Sequence, residues 1–202
     1  MFVKICGLSE EEHVEVAIDA GADALGFVFA ESVRKIDPAQ AAAITRKVPD
    51  TVKKVAVMLH PSAEELQSVL EEFEPDILQA DVDSLPGLDI PERIECWPVL
   101  RDSSTITSFV IAVLQSSENF LFEGSRSGSG ETVDWAVAAR VAAQGGMILA
   151  GGLGVDNVGE AIETVRPFGV DVSSGVENTP GRKDSELIRK FIGAAKAAGK
   201  NV

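Results

Sequence analysis

Cysteine and histidine are scarce in this chain, with two of each among 202 residues. Two cysteines in a chain of this length make no disulfide framework, and positions 6 and 96 fit no zinc-binding spacing. With only His13 and His60 available, no metal-binding cluster can be assembled. Basic residues are also few. Lys plus Arg number 18 against 32 Asp plus Glu, a net charge of −14. That field repels nucleic acid and anionic membrane, and any small anion has to be held against it by local groups. No apolar run approaches the roughly 18 residues needed to cross a bilayer. The N-terminus has no basic n-region, long apolar stretch or small-residue cleavage site, so the expected compartment is the cytoplasm. No "GxSxG" elbow occurs, and a Ser-His-Asp arrangement is unsupported.

What is present is a regular alternation. Short β-rich runs and amphipathic helical stretches succeed each other from end to end. "FVKI" leads into "SEEEHVEVAIDAGA", a helix with Ser9 as the expected N-cap and Gly21 closing it. "ALGFVF" leads into "DPAQAAAITRKV", with Asp37 as cap and Pro38 at the first helical position. "KKVAVML" precedes "SAEELQSVLEEF", where Ser62 and Glu65 form a capping box. After "DILQA" the segment "DVDSLPGLDIP" has Pro and Gly where a helix should stand, so a short or irregular fourth helix is expected. "RIECWPVL" with "TITSFVIAVLQ", "NFLFE" with "VDWAVAARVAAQ", "MILA" with "VDNVGEAIETV" and "GVDV" with "SELIRKFIGAAKAAG" complete eight units. Alternating strands and helices imply a parallel sheet with right-handed crossovers. Eight such units predict an α/β fold of the (β/α)₈ TIM-barrel kind over residues 1–202, in one domain, with an open doubly wound sheet as the competing arrangement.

In such a barrel, chemistry gathers at the C-terminal ends of the strands. Those ends carry Cys6, Arg34 in the loop after strand two, His60, Asp81, Arg101 and Glu123. The period-two alternation of strands sorts the first and last of them. Val3 and Ile5 suit the helix layer, which turns Lys4 and Cys6 inward. Val170 and Val172 do the same in strand eight and turn Asp171 and Ser173 inward. Charges facing a barrel interior are costly unless they are paired or used. Strand seven runs into Gly151 and Gly152, and strand eight into Ser174 and Gly175. Glycines there let backbone N–H groups approach an anion, in the two loops that commonly bind phosphate in this fold. From composition alone a thiol at residue 6 reads more readily as a small buried hydrophobe than as chemistry, and Cys96 lies within a strand where packing suffices.

Several stretches together resemble the phosphoribosylanthranilate isomerase family of tryptophan biosynthesis. They are "KICG" at 4–7, "GADALGFVFAESVRKIDPAQA" at 21–41, "SGSGETVDW" at 127–135, "ILAGGLGVDNVGEAI" at 148–162 and "GVDVSSGVENTPGRKD" at 169–184. The resemblance implies an Amadori rearrangement of N-(5-phosphoribosyl)anthranilate to 1-(2-carboxyphenylamino)-1-deoxyribulose 5-phosphate, without metal or organic cofactor. It implies that Cys6 is the base that takes the proton from sugar C2. A thiol with an ordinary pKa of about 8.5 needs only a modest downward shift for that task, and Lys4 is one source of it, with a Lys4–Asp171 pair as the alternative use of that ammonium. Arg34 matches the arginine that meets the anthranilate carboxylate, and Asp171 an aspartate near the substrate amine. Gly151, Gly152, Ser173, Ser174 and Gly175 match the phosphate loops. Gly130 belongs to "SRSGSG", a loop expected to close over the substrate.

Two positions depart from the family pattern. Its general acid is an aspartate at the end of strand six, where Glu123 stands, one methylene longer. Glu123 keeps the acid function with a changed reach. After strand four the family reads "QLHG", whereas Asp81 occupies the histidine position here and is given no catalytic role. A related aminoaldose-phosphate isomerase of histidine biosynthesis, a dual-substrate enzyme, and a silent phosphoribosyl-binding homologue remain as alternatives. The expected partner is a small phosphorylated substrate, and the expected assembly a monomer or homodimer.

Overall fold

A computed structural model describes residues 1–102, 116–124 and 132–200. Eight parallel strands close on themselves in chain order. They are β1 (Phe2–Cys6), β2 (Ala24–Val28), β3 (Lys53–Val57), β4 (Ile77–Asp81), β5 (Glu95–Arg101), β6 (Phe120–Glu123), β7 (Met147–Leu149) and β8 (Gly169–Val172). The expected barrel is therefore the observed one, and β1 closes it by pairing with both β2 and β8.

Alternation in each strand divides the apolar residues into two layers. Val55, Ile77, Trp97, Val99, Leu121 and Ile148 point inward and fill the barrel with Cys6 and Ala24. Val3, Ile5, Leu25, Phe27, Leu78 and Phe122 point outward, where they pack with the helices in a larger cluster. Each fully buried side chain of this size contributes about 1.5–3 kcal/mol of transfer free energy. The two layers make the closed sheet a wall between cores rather than around a channel.

Helix starts follow local chemistry. Asp37 accepts from the Ala39 and Gln40 amides ahead of helix Pro38–Ile44, with Pro38 in its first turn. Ser62 and Glu65 form the full capping box before helix Ala63–Glu72. Asp134 and Asp184 cap helices Trp135–Ala142 and Ser185–Ala198 in the same manner. The first helix differs from expectation. It spans Glu11–Ala20 with Glu10, not Ser9, in the cap position and with no side-chain cap bond. Glu11 and Glu12 in the first turn face the positive end of the helix dipole, and Gly21 closes the other end in a left-handed conformation as expected.

The irregular fourth connection is also as expected, since only a single 3₁₀ turn, Val82–Ser84, follows β4. The helix expected over "TITSFVIAVLQ" lies outside the described residues. One feature had no counterpart in the sequence reading. After β8 a 3₁₀ turn (Ser174–Val176) leads into a small antiparallel hairpin, β9 (Glu177–Thr179) with β10 (Arg182–Lys183), turning through Pro180 and Gly181.

Candidate active site

Strand direction carries the ionisable groups to one end. Lys4 and Asp171 are partners in register on β1 and β8. Both face inward, and the Lys4 ammonium donates to Asp171 Oδ1 at 2.9 Å with no solvent exposure of its side chain. Two residues further along β1, Cys6 is buried on the same face. Burial works against the Lys4 ammonium, but Asp171 and then Cys6 outweigh it and its affinity for the proton rises.

The expected downward shift of the base is not found. Burial pushes the Cys6 thiol up and Asp171 adds to that, while Lys4 and Lys183 draw it down without reversing the sum. The alternation of the sequence placed the thiol correctly, but desolvation of a buried sulfur outweighs the nearby ammonium.

A second buried ion pair lies beside it. Lys183, 2% exposed, comes from β10 and donates to Glu177 at 2.7 Å, to the Ser173 carbonyl at 2.9 Å and to Ser173 Oγ at 3.2 Å. Ser173 Oγ in turn donates to the Cys6 carbonyl at 3.1 Å. Burial lowers the pKa of Lys183, against the pull of Glu177. Arg34 grips the same carboxylate bidentately, Nε to Oε1 at 2.6 Å and Nη2 to Oε2 at 2.9 Å. The Gly181 amide adds a fourth donor at 3.1 Å. Burial opposes ionisation of Glu177, yet these donors hold its carboxyl down at about 2. Glu177 and Lys183 were not singled out from the sequence. Both sit inside the quoted "GVDVSSGVENTPGRKD", where the "NTPG" turn was the available sign of a hairpin.

On the opposite part of the rim, Glu123 at the end of β6 is paired with Arg101 at the end of β5. Arg101 also donates to Asp81 Oδ1, from Nη2 at 2.5 Å and from Nε at 3.1 Å. The exposed His60 ring lies 3.3 Å from the other Asp81 oxygen. The two positions that depart from the family pattern are thus tied to one guanidinium.

The loops after β7 and β8 touch through backbone. Gly151 and Gly152 both have positive φ, 91° and 62°. A methyl group on Gly175 would fall 1.9 Å from the Leu153 carbonyl oxygen, so the loops can meet only if residue 175 has no side chain. Asn157 braces the first loop, accepting from the Gly154 amide at 2.8 Å and donating to the Gly152 carbonyl at 2.9 Å. Ser174 opens the 3₁₀ turn beside them. Gly130 and the rest of "SRSGSG" lie outside the described residues. Among those residues, no group of three or more His, Cys, Asp or Glu is arranged to hold a metal ion, and no helix is long and apolar enough to cross a membrane.

A parallel eight-stranded barrel with its ionisable residues gathered at the C-terminal rim has the architecture of the TIM-barrel enzymes. Comparison with known proteins narrows this. The model of the N-(5′-phosphoribosyl)anthranilate (PRA) isomerase family matches residues 3–194, and the chain belongs to that family. It is 40% identical over 198 residues to the N-(5′-phosphoribosyl)anthranilate isomerase of Streptococcus mutans, covering 96% of this chain and 98% of that one. Among solved structures, it is similar to phosphoribosyl anthranilate isomerase from Thermotoga maritima, with 32% identity and a TM-score of 0.81 over 98% of this chain and 99% of that one. It is similar too to a phosphoribosyl anthranilate isomerase in complex with reduced 1-(o-carboxyphenylamino)-1-deoxyribulose 5-phosphate. That match has 31% identity and a TM-score of 0.77, over 98% of this chain and 99% of that one.

Proposed function

We propose that the chain isomerises N-(5-phosphoribosyl)anthranilate to 1-(2-carboxyphenylamino)-1-deoxyribulose 5-phosphate, a cytoplasmic step of tryptophan biosynthesis. Cys6 is the general base and Glu123 the general acid. The observation that carries the assignment is the buried, inward-facing thiol at the end of β1, set beside an ammonium whose own charge Asp171 balances.

The chemistry needs two proton transfers. Glu123 gives a proton to the ribose ring oxygen as the C1–O bond breaks, and the amine lone pair forms the Schiff base. The Cys6 thiolate then takes the C2 proton, and the C2–H electrons flow into the iminium to give the enolamine, which tautomerises to the ketone. In the free protein the Glu123 carboxyl is paired with Arg101. Donation therefore requires that this pair loosen, and Asp81, already holding two Arg101 nitrogens, takes up the guanidinium.

Arg34 meets the anthranilate carboxylate with the nitrogen that Glu177 does not occupy, and Asp171 lies near the substrate amine. Gly151, Gly152, Ser174 and Gly175 offer backbone to the phosphate, with Gly130 on the closing loop. Ser173 acts more through its bonds to Cys6 and Lys183 than as a free ligand. Loss of substrate fluorescence on mixing phosphoribosylanthranilate with the purified protein tests this reading. Substrate binding with no such loss would overturn it.

A further inference from the structure

Lys4 is fully buried, and neither proton transfer passes through it. Its ammonium is anchored on one side by Asp171. It also borders the space over Gly26, the residue of β2 in register with Cys6. A methyl group built on Gly26 would meet Cys6 Sγ at 3.0 Å and Lys4 Nζ at 3.1 Å. The thiol and the ammonium therefore face the same gap, and the absence of a side chain at residue 26 leaves it open. The groups that act on the sulfur are Lys4 from β1, Asp171 from β8 and Lys183 from β10. Lys183 is already committed to Glu177 and to Ser173.

Taking Cys6 as the base, we propose that Lys4 is a positioning residue that serves as counter-ion to the Cys6 thiolate, with Asp171 fixing its ammonium and Gly26 admitting it to the sulfur. The thiol is buried, so water cannot stabilise its anion. An ammonium already in place does so without moving, as a preorganised charge should. Asp171 then has two tasks, and the one toward Lys4 is independent of the substrate.

The test follows the thiolate directly by its ultraviolet absorbance, in a Cys96→Ala background so that only Cys6 titrates as a thiol. The chain contains no tyrosine, which leaves the signal free of phenolate. Lys4→Met, Lys4→Arg and Gly26→Ala are compared with the parent. Gly26→Ala is the decisive variant because it keeps every charge while its methyl group, 3.0 Å from the sulfur and 3.1 Å from the ammonium, forces both to shift. The backbone at Gly26 is not left-handed, and the atoms the new methyl displaces are the ends of flexible side chains.

In Gly26→Ala and Lys4→Met the ionisation of Cys6 is expected to move up by about one pH unit. At neutral pH kcat should fall about tenfold, with KM changed less than about threefold and the rising limb of kcat displaced to higher pH by the same amount. Lys4→Arg should restore most of both. If Lys4→Met fails to fold, Gly26→Ala alone decides. An unchanged ionisation in Gly26→Ala overturns the proposal, and so does a raised ionisation with undiminished kcat. Full activity of Cys6→Ala would instead remove Cys6 as the base, a failure of the underlying assignment that the absorbance titration distinguishes.

Discussion

Replacing Glu177 by Gln tests the construction of the rim. The substitution keeps size and removes one charge from a carboxylate that receives Arg34 twice, Lys183 once and the Gly181 amide once. The side chains of Glu177 and Lys183 are 4% and 1% exposed, so solvent cannot replace the lost partner. Breaking a buried pair by removing one partner costs about 3–5 kcal/mol. The lower end applies here because Lys183 keeps its bond to the Ser173 carbonyl. Urea unfolding at neutral pH should therefore show a loss of about 3 kcal/mol at unchanged slope. Arg34 should also lose its fixed orientation, lowering kcat/KM by roughly ten- to a hundredfold, mostly through KM. The pH dependence has a definite sign. The folded carboxyl sits at about 2, below the unfolded value of about 4.3, so its contribution is complete above that value and is lost as pH falls toward 2. The parent should lose stability across that window, and Glu177→Gln should show a shallower slope there. A loss under about 1 kcal/mol with KM unchanged would refute the view that one carboxylate organises this part of the rim.

Three further outcomes are expected. Cys6→Ala should fold normally and lose about 10²–10⁴-fold in kcat, the usual share of one acid–base group, as read by substrate fluorescence. Glu123→Gln should be comparably harmful while Glu123→Asp retains most activity, and equal loss in the two would remove Glu123 as the acid. Gly175→Ala must push the two loops apart to clear the Leu153 carbonyl, so KM should rise at least about tenfold and competitive inhibition by inorganic phosphate should weaken.

The parts of this molecule governed by periodicity were legible in the sequence. Lys4 and Cys6 could be turned inward because Val3 and Ile5 needed the helix layer, and the same pattern in β8 exposed Asp171. Asp37 with Pro38, and Ser62 with Glu65, announced their helices because capping is decided within four residues. A Lys4–Asp171 pair could be named as one alternative because both face inward, but the other pairings were not legible. Nothing local to Arg34 says that its guanidinium is taken by a carboxylate 143 residues away. Nothing near Cys6 fixes the outcome of burial against two ammonium groups. The linked placement of Asp81 and Glu123 appears only when β4, β5 and β6 lie side by side, which brings Arg101 between them. Ser9 was an error of one residue, where a serine beside three glutamates made a plausible cap that the helix starts beyond.

The Lys4–Asp171 pair spans the seam where the first strand meets the last, 167 residues apart along the chain. During synthesis Lys4 emerges well ahead of its counter-charge, because 167 residues separate the two. Until then the first strand can bury its apolar face but has nothing to neutralise its cation. A chain cut short before β8 should therefore remain open at this edge, and a protease would find it there.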